Sequence, residues 1–181
     1  SKLKTDVLET VSGSGTIALT NQLSGMTSAS VPVLTTSHMP SGSVLQVIST
    51  SSAAALSTSS TTFVDLLTLN ITPQFSNSKI LIQFNSSLGY QDVANLPFYT
   101  HVTITRNTTN LGHSTEGFSG NYIHSASYDD YGISHNCHYL DSPSTTSQIT
   151  YKIQARVGSS NVAAVFGLKG IDSLTLTEIK G

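Results

Sequence analysis

Hydrophobic and polar residues alternate with a period of two over most of the chain after residue 42, and this alternation predicts a succession of strands. The clearest run is Ser78–Tyr90, SKILIQFNSSLGY. It puts Ile80, Ile82, Phe84 and Leu88 on one face and Gln83, Asn85 and Ser87 on the other. Ser147–Gly158 sets Ile149, Tyr151, Ile153, Ala155 and Val157 against Thr150, Lys152, Gln154 and Arg156. Thr61–Thr72 groups Phe63, Leu67, Leu69 and Ile71 and stops at Pro73. Pro97–Asn107 groups Phe98, Val102 and Ile104 and leads through Thr108–Gly112 into a turn. Gly42–Thr50 is a shorter run, closed by the loop SSAAALSTSS, and SLTLTEIKG ends the chain as a last strand. A turn at Gly158–Asn161 hands over to Val162–Phe166, which reads as a hairpin partner. No segment carries a helical period with caps. About eight strands in about 140 residues predict an all-β fold, an antiparallel β-sandwich of jelly-roll type able to bury its own core.

The segment before these strands reads differently. No charged residue occurs between Glu9 and Asp65, and no aromatic before Phe63. Ordering some fifty residues costs on the order of 80 kcal/mol, which scattered Val, Leu, Ile and Ala hardly offset in an isolated chain. Two readings remain: a flexible low-complexity arm, or a strip that folds only against copies of itself. Thr16–Thr20 alternates, and Val31–Leu34 is a short β-favouring patch broken by Pro32. The expected organisation is an extended N-terminal strip, residues 1–41, followed by a β-sandwich knob, residues 42–181.

Composition narrows the function. Of 181 residues only 10% are charged and 54 are Ser or Thr, with no Trp, one Cys and a net charge of −2. Eight basic residues do not supply the surplus that phosphate binding requires, so nucleic acid is not an expected partner. A lone Cys137 excludes an intrachain disulfide. SKLKTDVLET has no apolar stretch behind its lysines, and the longest apolar run, Val162–Phe166, is too short for a span. Neither secretion nor membrane insertion is expected, and synthesis in a cytoplasm is. The acceptor sequences at Asn85 and Asn107 then read as turn chemistry.

Candidate chemistry gathers in the middle of the knob. Between Asn107 and Tyr151 there is no Lys or Arg. The same stretch holds Glu116, Asp129, Asp130 and Asp141, four of the six histidines, and four tyrosines. Its strand pattern is weak and glycines interrupt it. Polar loops on a rigid sandwich are where binding sites are usually built, and tyrosine brings a flat face with a hydroxyl. The receptor-binding candidates are Tyr122, His124, Tyr128, Asp129, Asp130, Tyr131 and Tyr139. The alternative is that these residues are ordinary cover for the sandwich edge.

His135, Cys137 and His138 are the only metal-site candidate. Thiolate and imidazole suit a zinc-type ion, but the spacing matches no established zinc pattern and alternate strand residues face opposite ways. His38 and His101 read as surface or strand residues. Asp129, Asp130 and Glu116 could be imagined as a glycosidase pair, yet adjacent loop carboxylates are ordinarily solvated charge. No nucleophile elbow, P-loop or zincin motif occurs. The expectation is a protein that is not an enzyme and has no cofactor.

Several phrases carry a family likeness. LKTDVLETVSGSGTIALTN, GSVLQVISTSS, TTFVDLLTLNITP with SKILIQFNSSLGY, and the ending SLTLTEIKG resemble short virion-fibre or tail-fibre proteins of marine-type bacteriophages. The resemblance covers both ends and most framework strands, while Gly112–Asp141 carries no matching phrase. It implies an N-terminal attachment strip that docks on other virion proteins. It also implies a homotrimeric jelly-roll knob, similar to tumour-necrosis-factor and C1q heads, a virion location, and attachment to a host-surface glycan or protein. A rival of another class is a purely structural head or tail decoration protein.

Overall fold

The computed structural model describes residues 35–90, 98–123, 131–158, 164–167 and 170–181. The chain divides into two compact units, Ser1–His38 and Met39–Gly181. Of the first, the described part is a 3-10 turn, Thr36–His38, with the Thr35 hydroxyl bonded to Ser37 and to His38 Nδ1. The expected strip, residues 1–41, lies almost wholly outside the described residues. Among the described residues no helix is long and apolar enough to cross a membrane.

The second unit is built of antiparallel strands. These are β1 (Val44–Ser52), β2 (Leu56–Thr58), β3 (Val64–Ile71), β4 (Lys79–Tyr90), β5 (Phe98–Arg106) and β6 (Thr109–Asn110). They continue with β7 (Ser119–Ile123), β8 (Tyr131–Asp141), β9 (Ile149–Val157), β10 (Ala164–Phe166) and β11 (Asp172–Ile179). Ladder registers merge some of them. β1 pairs with β11 from Val44↔Ile179 to Ser52↔Asp172, and β2 pairs with β10 from Leu56↔Phe166 to Thr58↔Ala164. β1 and β2 are therefore one interrupted line, and so are β10 and β11. Likewise β6 and β7 lie along the same edge of β5.

The first sheet then runs β1/β2, β11/β10, β4, β8, and the second β3, β9, β5, β6/β7. Taken as eight lines in chain order, the first pairs with the last, the second with the seventh, the third with the sixth and the fourth with the fifth. Such nested pairing is the jelly roll. The fold expectation holds.

The core lies between the sheets. Ile80, Ile82, Phe84, Leu174 and Leu176 from one meet Val102, Ile104, Ile149, Tyr151 and Ile153 from the other. Each such side chain contributes about 1.5–3 kcal/mol by leaving water. β9 alternates without exception, and its five inward residues are those its sequence assigns.

Four expectations need correction. β10 is not the hairpin partner of β9: it joins β4 and β2 in the other sheet, because both edges of β9 are taken by β3 and β5. Its three residues are all buried, so no alternation marks its face. Phe63 does not share a face with Leu67, because a bulge between Asp65 and Leu67 reverses the phase and leaves Phe63 beneath the Arg156 guanidinium. The SSAAALSTSS loop contains β2. Finally, the weakly patterned central segment contains β7 and the long strand β8.

Candidate functional site

Strand alternation gives each sheet an inward and an outward face, and both outward faces are concave in places. On the second sheet, β5 turns Val102 and Ile104 inward and Tyr99, His101, Thr103 and Thr105 outward. β7 adds Gly120 opposite His101 and Tyr122 opposite Tyr99. Tyr122 stacks on Tyr99 with ring centroids 4.4 Å apart, and Tyr99 is nearly parallel to His101 at 6.4 Å. Exposure falls along this ladder of rings: 51% for Tyr122, 38% for Tyr99 and 6% for His101.

The residues between β6 and β7 fold back over the same face. His113 and Gly117 bond each other through both backbone groups, and Phe118 N–H donates to the Val102 carbonyl at 2.8 Å. Gly117 has φ of 67°, and a Cβ there would run into the Val102 carbonyl. Arg156 Nε donates to the Thr115 carbonyl at 2.7 Å and its Nη1 to the Thr61 carbonyl at 3.0 Å. A cleft of about 420 Å³ results, walled by Tyr99, Tyr122 and Glu116 and floored by Gly117, Gly120 and His101.

His101 is held below its usual pKa, first by burial and then by the Arg156 charge, with Glu116 acting the other way. The ring is therefore neutral at pH 7. It hydrogen-bonds the Glu116 backbone, while Nδ1 has no partner among the described residues and lies against Gly120. A Cβ at residue 120 would sit 2.9 Å from Nδ1, so only glycine leaves this approach open. The Tyr99 side chain raises the Tyr122 pKa by hydrogen bonding to it.

The outward face of the first sheet has another character. Register places Val47, Thr177, Leu81 and Leu140 in one row across four strands. The next rows are Ser49, Thr175, Gln83 and His138, then Ser51, Ser173, Asn85 and Asn136. No Asp, Glu, Lys or Arg stands in these rows, and Lys79 lies at the end of β4. A shallow groove of about 530 Å³ crosses them at Gln83, Asn85, Asn136, His138, Ser173 and Thr175.

The sequence candidates fall in different places. Tyr122 is exposed and forms the outer wall of the cleft. His124, Tyr128, Asp129 and Asp130 lie outside the described residues, and Tyr131 is described only as the first residue of β8. Tyr139 faces into the sandwich and packs on Phe118 at 5.2 Å, so it does not join Tyr122.

The metal candidates do not converge. His135 and Cys137 face inward and His138 outward. Asn121 Nδ2 donates to His135 Nε2 at 3.0 Å, which leaves the proton on Nδ1 to reach Ser119 Oγ at 2.8 Å. Thr100 Oγ1 also approaches Nε2 at 3.0 Å. With both nitrogens occupied and burial holding its pKa down at about 4, His135 is a neutral core residue. Burial likewise pushes the Cys137 thiol up to about 11, away from the thiolate a metal takes. Among the described residues no three His, Cys, Asp or Glu gather into a metal site.

Asp141 is an internal anchor rather than part of a binding face. It accepts two bonds from Arg106 Nη1 at 3.0 Å, one from the Tyr151 hydroxyl at 2.6 Å and one from the Ser142 amide at 2.9 Å. The sequence reading missed Tyr99, His101 and Gly120 as site residues. Their signal was present: they fall on the polar phase of strands whose apolar phase is buried.

No protein-family model matches the chain, and no curated protein matches it. Solved structures of infectious bursal disease virus are similar to it. The VP2 subviral particle shares 16% identity at a TM-score of 0.35 over 75% of this chain and 38% of that one. The Gx strain shares 12% at 0.38 over 78% and 37%, and the T13 viral particle 13% at 0.38 over 75% and 36%. This chain thus spans a little over a third of the length of those chains. The jelly-roll assignment rests on the nested ladders of this chain itself.

Proposed function

We propose that the chain is the self-associating β-knob of a virion fibre, a bacteriophage tail-fibre protein that contributes to host-surface attachment and performs no catalysis. The observation that carries this reading is the contrast between the two outward sheet faces. The first has no formal charge in its central rows, with Val47 and Leu140 among its exposed apolar residues. Copies of the chain can cover such a face without desolvating an ion, which is the costly part of forming an interface. The second carries Asp65, Lys152, Arg156 and Glu116 together with the tyrosine cleft, and it suits solvent and a ligand. A homotrimer with first-sheet faces inward would present three copies of the second face outward and multiply weak single-site contacts.

In this reading residues 1–41 form the strip that docks the knob on other virion proteins. The segment from Tyr122 through His124, Tyr128, Asp129, Asp130 and Tyr131 supplies further attachment contacts. The fibre phrases of the sequence support the same assignment. Purified chain is expected to have a trimer's mass in solution and to compete with particles for adsorption to host cells. Alanine at Tyr128, Asp129 and Tyr131 is expected to weaken that competition at unchanged mass. A chain that assembles into particles yet never competes would instead be a structural decoration protein.

A further inference from the structure

We infer that the cleft over Gly120 is a binding site for a neutral sugar ring, with Tyr122, backed by Tyr99, as the stacking ring and Glu116 as the hydroxyl acceptor. The inference rests on the attachment reading and names the ligand class for one site within it. Three properties of the cleft lead there. Its aromatic wall is a stacked tyrosine pair with the outer ring half exposed, a rigid surface suited to the C–H face of a pyranose. Its floor is glycine backbone, so a flat ring lies close to β7 and to the His101 edge without meeting a side chain at residue 120. Its polar group is the Glu116 carboxylate, which makes no ion pair among the described residues, while the Arg156 guanidinium donates to the Thr61 and Thr115 carbonyls.

The Glu116 carboxylate accepts from vicinal hydroxyls, and because the Arg156 charge acts on the same floor the cleft carries little net charge. Neutral sugars are therefore preferred to acidic ones. The volume, about 420 Å³, is that of a small-ligand pocket. Peptide recognition would call for an apolar pocket to seat a side-chain anchor, and the exposed walls here are amphipathic rings and charge.

The test uses the full chain with its tyrosines labelled with ¹³C, titrated with glucose, galactose, mannose, N-acetylglucosamine and glucuronate. At least one neutral sugar is expected to shift the Tyr99 and Tyr122 ring signals saturably, and glucuronate is expected to do so less. Glu116→Gln and Tyr122→Ala should each weaken the interaction by about tenfold or more while the signals of tyrosines outside the cleft, Tyr139 and Tyr151, stay in place. Gly120→Val should abolish it.

Silence toward every sugar would overturn the inference. So would a response that survives both Glu116→Gln and Tyr122→Ala, or one seen only with a peptide such as Gly-Ser-Gly. Adsorption competition separates the two claims. Competition without sugar shifts overturns the sugar site and leaves attachment standing, whereas sugar shifts without competition support the site and overturn attachment.

Discussion

Asp141 shows how a single carboxylate joins the two sheets. It ends β8 in the first sheet, while its partners Arg106 and Tyr151 come from β5 and β9 in the second. Asp141→Ala would leave a half-buried guanidinium without its counter-charge and a buried phenol without its acceptor. The expected loss is about 3–5 kcal/mol, read by urea unfolding. A loss below about 1 kcal/mol would show that the pair is a surface contact only. His135 makes the companion case for protons. Its ring titrates near 6.5 when unfolded and near 4 when folded, so the folded state binds fewer protons in between. Its stabilising contribution is complete above pH 6.5 and is lost as pH falls toward 4. His101, also depressed, has the same sign, whereas Asp172, raised mainly by burial, opposes it. The histidine shift corresponds to roughly 2 kcal/mol of stability lost between pH 7 and pH 5. His135→Gln should flatten that decline, and an equally steep decline in the variant would assign the acid sensitivity elsewhere.

Strands differ in how plainly the sequence displays them, and the difference is physical. β4 and β9 alternate in hydropathy because their described inward residues, Ser86 apart, are aliphatic or aromatic, so the faces of those residues were readable. β8 is as long as β4 but turns His135, Cys137, Tyr139 and Asp141 inward. The polar atoms of His135 and Asp141 are satisfied by Ser119, Asn121, Arg106 and Tyr151, partners on other strands, and no local pattern predicts that. The same cause hid the cleft. Tyr99 and His101 are on the polar phase of β5, and the part that makes them a site is the loop over them. That loop depends on Gly117, whose positive φ and contact with the Val102 carbonyl exclude a side chain. Gly117→Ala is expected to cost about 1–3 kcal/mol and to separate the 113–118 turn from β5. The readout is faster hydrogen exchange at the Phe118 amide, with β9 amides unchanged. If the Phe118 amide stays as protected as before, the turn does not depend on this glycine.

The two outward sheet faces of the molecule differ in charge. Low charge in the sequence, 10% of residues, does not spread evenly over the surface. One sheet face collects Asp65, Lys152 and Arg156 on its strands, and the other, across β1, β11, β4 and β8, has none in its central rows. Association through an uncharged face has two consequences that separate it from association through the charged one. First, it should be nearly indifferent to salt, because Coulombic contacts weaken as the Debye length contracts from about 10 Å at 0.1 M to about 3 Å at 1 M and this face offers none. Second, it should be intolerant of an introduced ion at its centre. Thr175 lies between Ser49 and Gln83 in the middle row, so Thr175→Arg would bring like charges together around a symmetry axis with nothing to pair them. Mass measured in solution is expected to stay that of a trimer from 0.1 M to 1 M salt and to fall to that of a monomer in Thr175→Arg. Thr68→Arg, on the outward side of β3, should leave the mass unchanged. A trimer that survives Thr175→Arg would move the interface off this face, and one that dissociates with salt would move it to the charged side.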